Sequence, residues 1–95
     1  MSDDLPIYKL PARELMKQIG AKHGVSLDDI LSARRQTDIA AARFEISARL
    51  YERGLSYPQI GRLINRDHTT VIHAVRRHYE LEARFAALAA EMRHV

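Results

Sequence analysis

The stretch that decides the fold runs Arg66-Asp67-His68-Thr69-Thr70-Val71-Ile72-His73-Ala74-Val75. Asp67 is a favourable N-cap, because its carboxylate can accept a hydrogen bond from an N–H group in the first turn of a helix. Val71, Ala74 and Val75 would then form the inward face, and short polar side chains would occupy the tip. The stretch therefore predicts a helix whose first turn is polar and presented to a partner.

A shorter helix is predicted immediately upstream, over Ser56-Tyr57-Pro58-Gln59-Ile60-Gly61-Arg62-Leu63-Ile64-Asn65. Ser56 is placed to cap it, and Gln59 stands three residues later, where its side chain can return a capping bond. Two helices joined by a tight turn are a helix-turn-helix, whose second helix enters the major groove of DNA by its N-terminal residues.

The remaining segments also predict helices, so the fold class is an all-α, small helical domain with a helix-turn-helix and a long C-terminal helix. Asp38 is predicted to cap a helix that Gly54 ends, and its apolar positions recur at spacings of three and four. Further upstream, one helix is expected between Pro11 and Gly24, and a short one after Ser26. The apolar positions expected inside are Leu15, Ile19, Ile30, Leu31, Ile39, Ala42, Ile46 and Leu50. Residues 32–37 are expected to form a loop.

The C-terminal helix carries an apolar stripe whose members alternate at spacings of three and four, like the seam of a coiled coil. Its members are Val71, Ala74, His78, Leu81, Phe85, Leu88 and Met92. Two interpretations stay open: the stripe folds back onto Leu5, Leu15 and Ile19, or Leu81, Phe85, Leu88 and Met92 form a homodimer seam. The helix is expected either to run on unbroken or to bend near Tyr79.

The chain of 95 residues is long enough for one domain with a small core. We expect an N-terminal arm over 1–10, a helix-turn-helix domain over 11–79 and a C-terminal helix extension over 80–95. There is no Cys, which excludes disulfides and thiolate metal sites. The first residues lack the layout of a signal peptide and no apolar run is long enough for a membrane span, so a cytoplasmic protein is expected.

Catalytic, cofactor and metal sites are not expected. The four glycines do not form a phosphate-binding loop, because the segment from Gly20 to Gly24 lacks the Gly-Lys-Ser/Thr ending. His68, His73 and His78 are spaced by five residues, which rotates successive rings about 140° apart on a helix. They cannot converge on one ion, and His78 is expected to pack within the apolar stripe. We therefore predict no enzyme activity, no cofactor and no metal.

Positive charge is concentrated in the middle of the chain. Residues 30–79 contain nine basic and four acidic side chains, whereas residues 1–29 and 80–95 each have one more acidic than basic residue. All nine central cations are Arg, whose planar donors suit phosphates and guanine edges. Together with a helix-turn-helix, this distribution favours a nucleic-acid partner over a merely solvated surface.

From Val25 to Tyr79 the sequence resembles the C-terminal DNA-binding domain of the bacterial chromosomal replication initiator DnaA. The strongest match is the run from Arg66 to Arg76, and residues 31–35 and 56–61 match two further segments in the right order. The resemblance implies a helix-turn-helix that binds double-stranded DNA at short asymmetric boxes related to TTATNCACA. By that likeness the residues that contact bases would be Arg35, Pro58, Asp67, His68 and Thr69, and those that contact phosphates would be Arg43, Thr70 and Arg77.

Within that likeness each residue has an expected role. Asp67, His68 and Thr69 would read base edges in the major groove. Pro58 would touch a thymine methyl group, and Arg35 would enter the adjacent minor groove from its loop.

The chain also departs from the family pattern. Asn65 stands alone where a glycine pair is usual, and Asp38 and Glu45 are expected to bring negative charge close to the DNA face. A further basic contact of the family has no certain equivalent, although Arg49 and Arg53 are candidates. The nucleotide-binding module of the family is missing, so we expect either an excised domain or a free-standing protein. The Met1 start and the extra C-terminal helix favour the latter.

The function expected from this resemblance is sequence-specific binding of double-stranded DNA by a small regulator of replication initiation or transcription, acting by occupancy. The alternative is a protein-interaction module of the same fold that uses its C-terminal helix. Binding to a membrane surface or to single strands is disfavoured, because the Arg residues are not gathered on one amphipathic face and few aromatic side chains are available for stacking.

Overall fold

The structure, a computed structural model, describes residues 10–93 and places five helices in that range. The helices are α1 (Ala12–Lys22), α2 (Leu27–Leu31), α3 (Thr37–Glu52), α4 (Tyr57–Ile64) and α5 (His68–Arg93). The predicted all-α class with a long C-terminal helix is confirmed. The N-terminal arm falls mostly on residues 1–9, outside the described range, and so do Leu5 and Ile7.

Helix α3 lies at the centre of the fold and packs against α1, α2, α4 and α5. The predicted stripe of Ile39, Ala42, Ile46 and Leu50 is buried along it. The other helices close over this stripe with their own apolar faces. The main contributors are Leu15, Met16, Ile19, Ile30, Ile60, Ile64, Val71 and Val75. One core therefore fixes the position of α4 and of the first half of α5.

The predicted helix boundaries follow local capping chemistry with one exception. Ser56 and Gln59 form the reciprocal capping box expected at the start of α4, and the Ser26 side chain accepts a hydrogen bond from Asp29 N–H at the start of α2. The prediction that Asp38 caps α3 is wrong. Helix α3 begins at Thr37 with Gln36 as its N-cap, two residues earlier than a cap at Asp38 implies, and Asp38 Oδ1 instead accepts from the N–H of Ile39.

Helix α5 is continuous from His68 to Arg93, without a bend at Tyr79 that would end it. Its stripe changes environment along its length. Val71 and Ala74 are buried in the core, and His78 is half-buried with Nε2 3.0 Å from Oε1 of Glu82. Phe85 and Met92 are exposed. Of the two interpretations of the stripe, folding back onto Leu15 and Ile19 holds for its early part, since Val71 shares one core with them. Phe85, Leu88 and Met92 do not reach that core and are exposed, and Leu5 lies outside the described residues.

Candidate nucleic-acid interface

The tip of α5 is held open by its cap. Oδ1 of Asp67 accepts a hydrogen bond from the backbone N–H of Thr70 at 2.8 Å, as the sequence predicted. This hydrogen bond holds the pKa of Asp67 below its ordinary value, so the side chain is a carboxylate at neutral pH. His68, Thr69 and Thr70 are exposed. The first turn thus presents an acceptor, an imidazole and two hydroxyl groups to solvent.

Two concave surfaces lie beside this tip. The wide groove has a volume of about 1020 Å³ and runs between the loop after α2, the start of α3 and α5. It is lined by Ala33, Arg35, Ala40, Arg43, Phe44, Ile64, Arg66, Asp67, Thr70, His73, Ala74, Arg76, Arg77 and Glu80. The shallow concavity, of about 420 Å³, is lined by Pro58, Gly61, Arg62, Asn65, Arg66, Asp67 and His68. Asp67 belongs to both, so the helix tip is the ridge between them.

The wide groove is basic. Its lining contains five Arg side chains and two acidic ones, Asp67 and Glu80. Oε2 of Glu80 lies 3.2 Å from Nη1 of Arg77, which offsets part of that one cation's charge. Exposed guanidinium groups in a groove beside an open helix tip are suited to the phosphates of a duplex whose bases the tip contacts.

The loop between α2 and α3 forms one wall of the wide groove and carries Arg35, which is exposed. The loop is folded on itself by Ser32, whose hydroxyl donates to the carbonyl of Asp29 at 2.6 Å and accepts from the N–H of Arg34 at 3.2 Å. Nη1 of Arg34 lies 3.4 Å from Oδ1 of Asp29. The loop therefore has a defined shape from which Arg35 extends.

Arg43 lies beneath this loop and is 7% exposed. Its Nε donates to the carbonyl of Ile30 at 2.9 Å and its Nη1 to that of Arg34 at 2.6 Å. Its Nη2 donates to the carbonyls of Asp29 at 3.1 Å and Ser32 at 2.6 Å. Burial and the nearby charge of Arg66 lower the pKa of Arg43 from its ordinary value. Most donors of this side chain, expected to contact a phosphate, are thus directed at the protein's own backbone.

A second arginine joins the same loop to the helix-turn-helix. Arg66 donates from Nη1 to the carbonyl of Asn65 at 2.7 Å, and from Nη2 to the carbonyl of Ser32. Nδ2 of Asn65 donates to the carbonyl of Leu31 at 3.3 Å. The turn before α5 and the loop that carries Arg35 are therefore bonded to each other.

Asn65 explains how the turn does without the expected glycine. Its φ of 59° and ψ of 48° are those of a left-handed C-cap. Asn tolerates this conformation better than most residues, and a single residue in it is enough to end α4.

The structure brings the predicted site residues to one side of the molecule. Arg35, Arg43, Thr70 and Arg77 line the wide groove, while Pro58 and His68 line the shallow concavity. Thr69 lines neither, but it is exposed between residues that do. Arg43 differs from the rest, because it is buried and bonded to the loop.

Sequence reasoning missed three side chains that line the wide groove: Arg66, His73 and Arg76. Arg66 lies just before the N-cap of α5, and nothing in that position along the sequence indicates a hydrogen bond to the carbonyl of Ser32. His73 and Arg76 follow Thr70 at spacings of three, which on a helix is the same face. That spacing was a usable signal.

The negative charges expected near the DNA face are not in either concavity. Glu45 is directed at α1, where it accepts from Lys22 and lies 2.8 Å from Nε2 of His23. Arg49 pairs with Glu52 and Glu82, and Arg53 donates to the carbonyl of Leu10. These two arginines therefore lie towards the other end of α3, away from the tip of α5.

Residues 10–93 contain neither a metal-ligand cluster nor a membrane-spanning helix. Within them, no three His, Asp or Glu side chains are grouped as metal ligands. In the same range, no helix has an apolar stretch of the length needed to cross a membrane.

Comparison with known proteins gives one family. Residues 12–77 match the profile described as the bacterial dnaA protein helix-turn-helix. The chain is 34% identical over 88 residues to the chromosomal replication initiator protein DnaA of Rhodopseudomonas palustris strain BisA53, which is 88% of this chain and 18% of that protein.

Two further relatives carry the same name. The Gluconobacter oxydans protein is 38% identical over 77 residues, covering 77% of this chain and 16% of the relative. The Caulobacter vibrioides protein is 37% identical over 83 residues, covering 83% of this chain and 16% of the relative. The chain thus spans less than a fifth of the length of these relatives. No solved structure gives a significant match.

Proposed function

Because the chain belongs to the bacterial DnaA helix-turn-helix family, and so carries a DNA-binding domain, we propose that it recognises short duplex boxes of the kind that replication initiators occupy. The observation that supports this proposal most is the exposed tip of α5, which stands between two concavities with an arginine-lined groove on one side. A helix tip in the major groove and cations beside it are the two parts that base readout and phosphate binding need.

The tip supplies the base contacts in this proposal. The exposed carboxylate of Asp67 accepts from the amino group of cytosine, and Thr69 offers a hydroxyl and a methyl group. His68 lines the concavity that also contains Pro58, so the imidazole and the pyrrolidine ring face one stretch of the groove. Pro58 supplies apolar contact to a thymine methyl.

The wide groove supplies the remaining contacts. Arg35 extends from its loop into the neighbouring minor groove, where a narrow A/T-rich segment concentrates negative potential. Thr70 and Arg77 hold phosphates between these two points, and Arg66 and Arg76 add charge along the same path.

For Arg43 we replace direct phosphate contact with a positioning role. A guanidinium that donates to the carbonyls of Asp29 and Ile30 in α2, and to those of Ser32 and Arg34 in the loop, fixes the loop against the end of α2. In this role it holds the loop from which Arg35 would reach the minor groove next to the major groove that the tip of α5 enters.

The helices of residues 10–93 form one DNA-binding unit around one core. At a DNA box this unit would act by occupying the site. We propose that the chain acts by blocking or recruiting other proteins at replication-initiator boxes or promoters. Such a role would place it with the chromosome, in the bacterial cytoplasm.

Selection from a pool of random duplexes at physiological salt tests the proposal. We expect enrichment of a box related to TTATNCACA, with an A/T-rich flank on the side that Arg35 reaches. Recovery of sequences without a common motif, at an affinity that depends only on salt, would contradict it.

Variants of the tip test base reading directly. His68→Ala and Thr69→Ala should each weaken binding to the selected box by about 1–3 kcal/mol and reduce preference for it over random duplex. Gln18→Ala, an exposed change on α1, is the matched control and should bind as the unchanged chain does. An equal loss on specific and random DNA would mean that the tip does not read bases. Fluorescence anisotropy measures both affinities.

One observation favours a second function. Phe85, Leu88 and Met92 are exposed on the late part of α5, as a protein-interaction surface would be. A protein-interaction module would bind DNA weakly and without sequence preference, so the same selection separates the two functions.

A further inference from the structure

The second half of α5 bears an apolar stripe that no other helix covers within residues 10–93. Phe85 is 70% exposed, Leu88 54% and Met92 74%, and Leu81 before them is half-buried. Their spacings of four, three and four place them along one side of the helix. Four large apolar side chains in that register are the seam positions of a two-helix coiled coil.

This part of α5 lies beyond the core. Tyr79 Oη donates to Glu52 at 2.5 Å, and Arg49 Nη2 lies 3.3 Å from Glu82 Oε1. Among residues 10–93, these are the last polar contacts that join α5 to another helix. From residue 83 to residue 93, every residue is exposed except Ala89, which is half-buried. The segment is therefore open to a partner along its whole length.

Charges beside the stripe indicate which partner fits. Arg84 and Glu91 are seven residues apart, so they lie on the same edge of the stripe. Both are exposed, and neither has an ion pair within the residues that the structure describes. A surface that carries one cation and one anion at this spacing is complementary to an inverted copy of itself.

We propose that two copies of this chain pair antiparallel through the stripe, centred between Phe85 and Leu88. In that arrangement Phe85 of one copy packs against Leu88 of the other, and Leu81 against Met92. Arg84 of each copy lies opposite Glu91 of the other, so this ion pair forms twice. A parallel pair would set Arg84 opposite Ala89 and leave both charges unused.

The arrangement has a consequence for DNA that rests on the proposed function. Each α5 begins at its DNA-reading tip, so antiparallel pairing puts the two tips at opposite ends of the joined helices. From the rise per residue, the tips are separated by roughly 55 Å and point away from each other. A symmetric site one helical turn long does not fit this geometry. The dimer would instead join two separate boxes.

Charge reversal in the full-length chain tests the pairing. Arg84→Glu alone, or Glu91→Arg alone, puts like charges opposite each other twice and should weaken dimerisation about tenfold. The double variant restores opposite charges in inverted order and should recover the original dimerisation constant. Arg93→Glu makes the same kind of change on the same helix, away from the seam, and should have little effect. Sedimentation equilibrium across the micromolar range measures each constant.

Three outcomes would overturn the proposal: a chain that stays monomeric at every concentration, a dimer that Arg84→Glu leaves intact, or single variants that the double variant does not rescue. A chain that dimerises only after residues 1–9 are removed would show that the N-terminal segment, and not a second copy, covers the stripe. Phe85→Ser should abolish the dimer while circular dichroism shows the helices retained, since Phe85 lies outside the core.

A bridging assay separates this inference from the proposed function. Two duplexes, each with one selected box and a different fluorophore, should be captured in one complex by the unchanged chain and not by Phe85→Ser. If Phe85→Ser binds single boxes normally, only bridging depends on the stripe. Dimers that bind no box would contradict the proposed function and leave the pairing intact. Monomers that bind boxes would contradict the pairing and leave the proposed function intact.

Discussion

In the proposed function the Asp67 carboxylate has two roles. Oδ1 caps α5 by accepting from the N–H of Thr70, and the exposed carboxylate keeps lone pairs that can accept from a base. Because the side chain is exposed at the helix tip, the capping bond does not remove it from the DNA-facing surface. Capping and base reading are therefore compatible at this residue.

Asp67→Asn should separate the two purposes. An Asn side chain caps a helix about as well as Asp, so the thermal midpoint should stay within error of the original. The amide is neutral, and it presents a donor where the carboxylate presents an acceptor, so preference for cytosine should fall. Asp67→Ala should lower both the midpoint and the specificity. Thermal denaturation by circular dichroism and a binding series over base variants of the box measure the two effects. Unchanged specificity in Asp67→Asn would leave the residue only its capping role.

The loop between α2 and α3 is an element whose shape depends on long side chains from elsewhere. Arg43 on α3 and Arg66 before α5 both donate to the carbonyl of Ser32. A half-buried carbonyl that loses its donors costs free energy, because water replaces those hydrogen bonds only in part. The two guanidinium groups therefore join the loop that carries Arg35 to the helix-turn-helix.

Arg43→Lys distinguishes positioning from phosphate contact, because Lys keeps the charge but cannot donate to four carbonyls in a plane. We expect a loss of stability of about 1–3 kcal/mol and weaker specific binding, with an unchanged salt dependence. Adding Arg35→Ala to Arg43→Lys should weaken specific binding little further, since the loop that carries Arg35 is already misplaced. If Arg43 held a phosphate directly, Lys would largely preserve binding. The two losses would then add.

The turn between α4 and α5 depends on Gly61. A Cβ at this position would lie 2.4 Å from the carbonyl oxygen of Arg66, which is backbone and cannot move aside alone. The N–H of Arg66 also donates to the carbonyl of Gly61 at 2.8 Å. The close approach is what makes the turn tight.

Gly61→Ala should therefore destabilise the chain by about 1–3 kcal/mol, because the turn must open to admit the methyl group. Arg62→Ala, next to it on the exposed face of α4, should change stability by less than about 0.5 kcal/mol. Urea denaturation measures both. Stability of Gly61→Ala equal to that of Arg62→Ala would show that the turn relaxes freely.

At the scale of the whole molecule, α1 is joined to α3 by one buried carboxylate. Glu45 is 8% exposed and accepts from Lys22 and His23 on α1. Desolvation by burial raises the pKa of Glu45, but the hydrogen bonds and charges of Lys22 and His23 outweigh it, so the pKa lies below its ordinary value of 4.5. Folding therefore favours the ionised form.

This shift predicts how stability depends on pH. A carboxyl group whose pKa is lower in the folded chain stabilises it above the unfolded value, near 4.5, and that contribution is lost as pH falls through the lower folded value. Glu45→Gln should lower stability at pH 7 and flatten the fall in stability as the pH drops below the ordinary carboxyl pKa of 4.5. Glu14→Gln, at an exposed ion pair with Lys17, is the control. A Glu45→Gln curve parallel to the original would contradict the assignment.

Local chemistry in the sequence determined most of the helices. Caps such as Ser56 and Asp67 act within four residues, and the buried stripe of α3 is a period that the chain carries by itself. The exposed tip of α5 follows from the same local rules, since the Asp67 cap sets where the helix begins and the apolar face that follows is buried. The error at Asp38 was also local, because several neighbouring residues could begin that helix.

Tertiary structure alone decided which charges are free and which are used internally. Arg35 and Arg43 look alike along the chain, yet one extends into solvent and the other binds four carbonyls, because only the folded loop brings those carbonyls to α3. The late stripe of α5 likewise has the same period whether it is covered or exposed. The late stripe is exposed because α1 and α3 end before they reach it. Where those helices end relative to α5 is set by packing and not by spacing along the sequence.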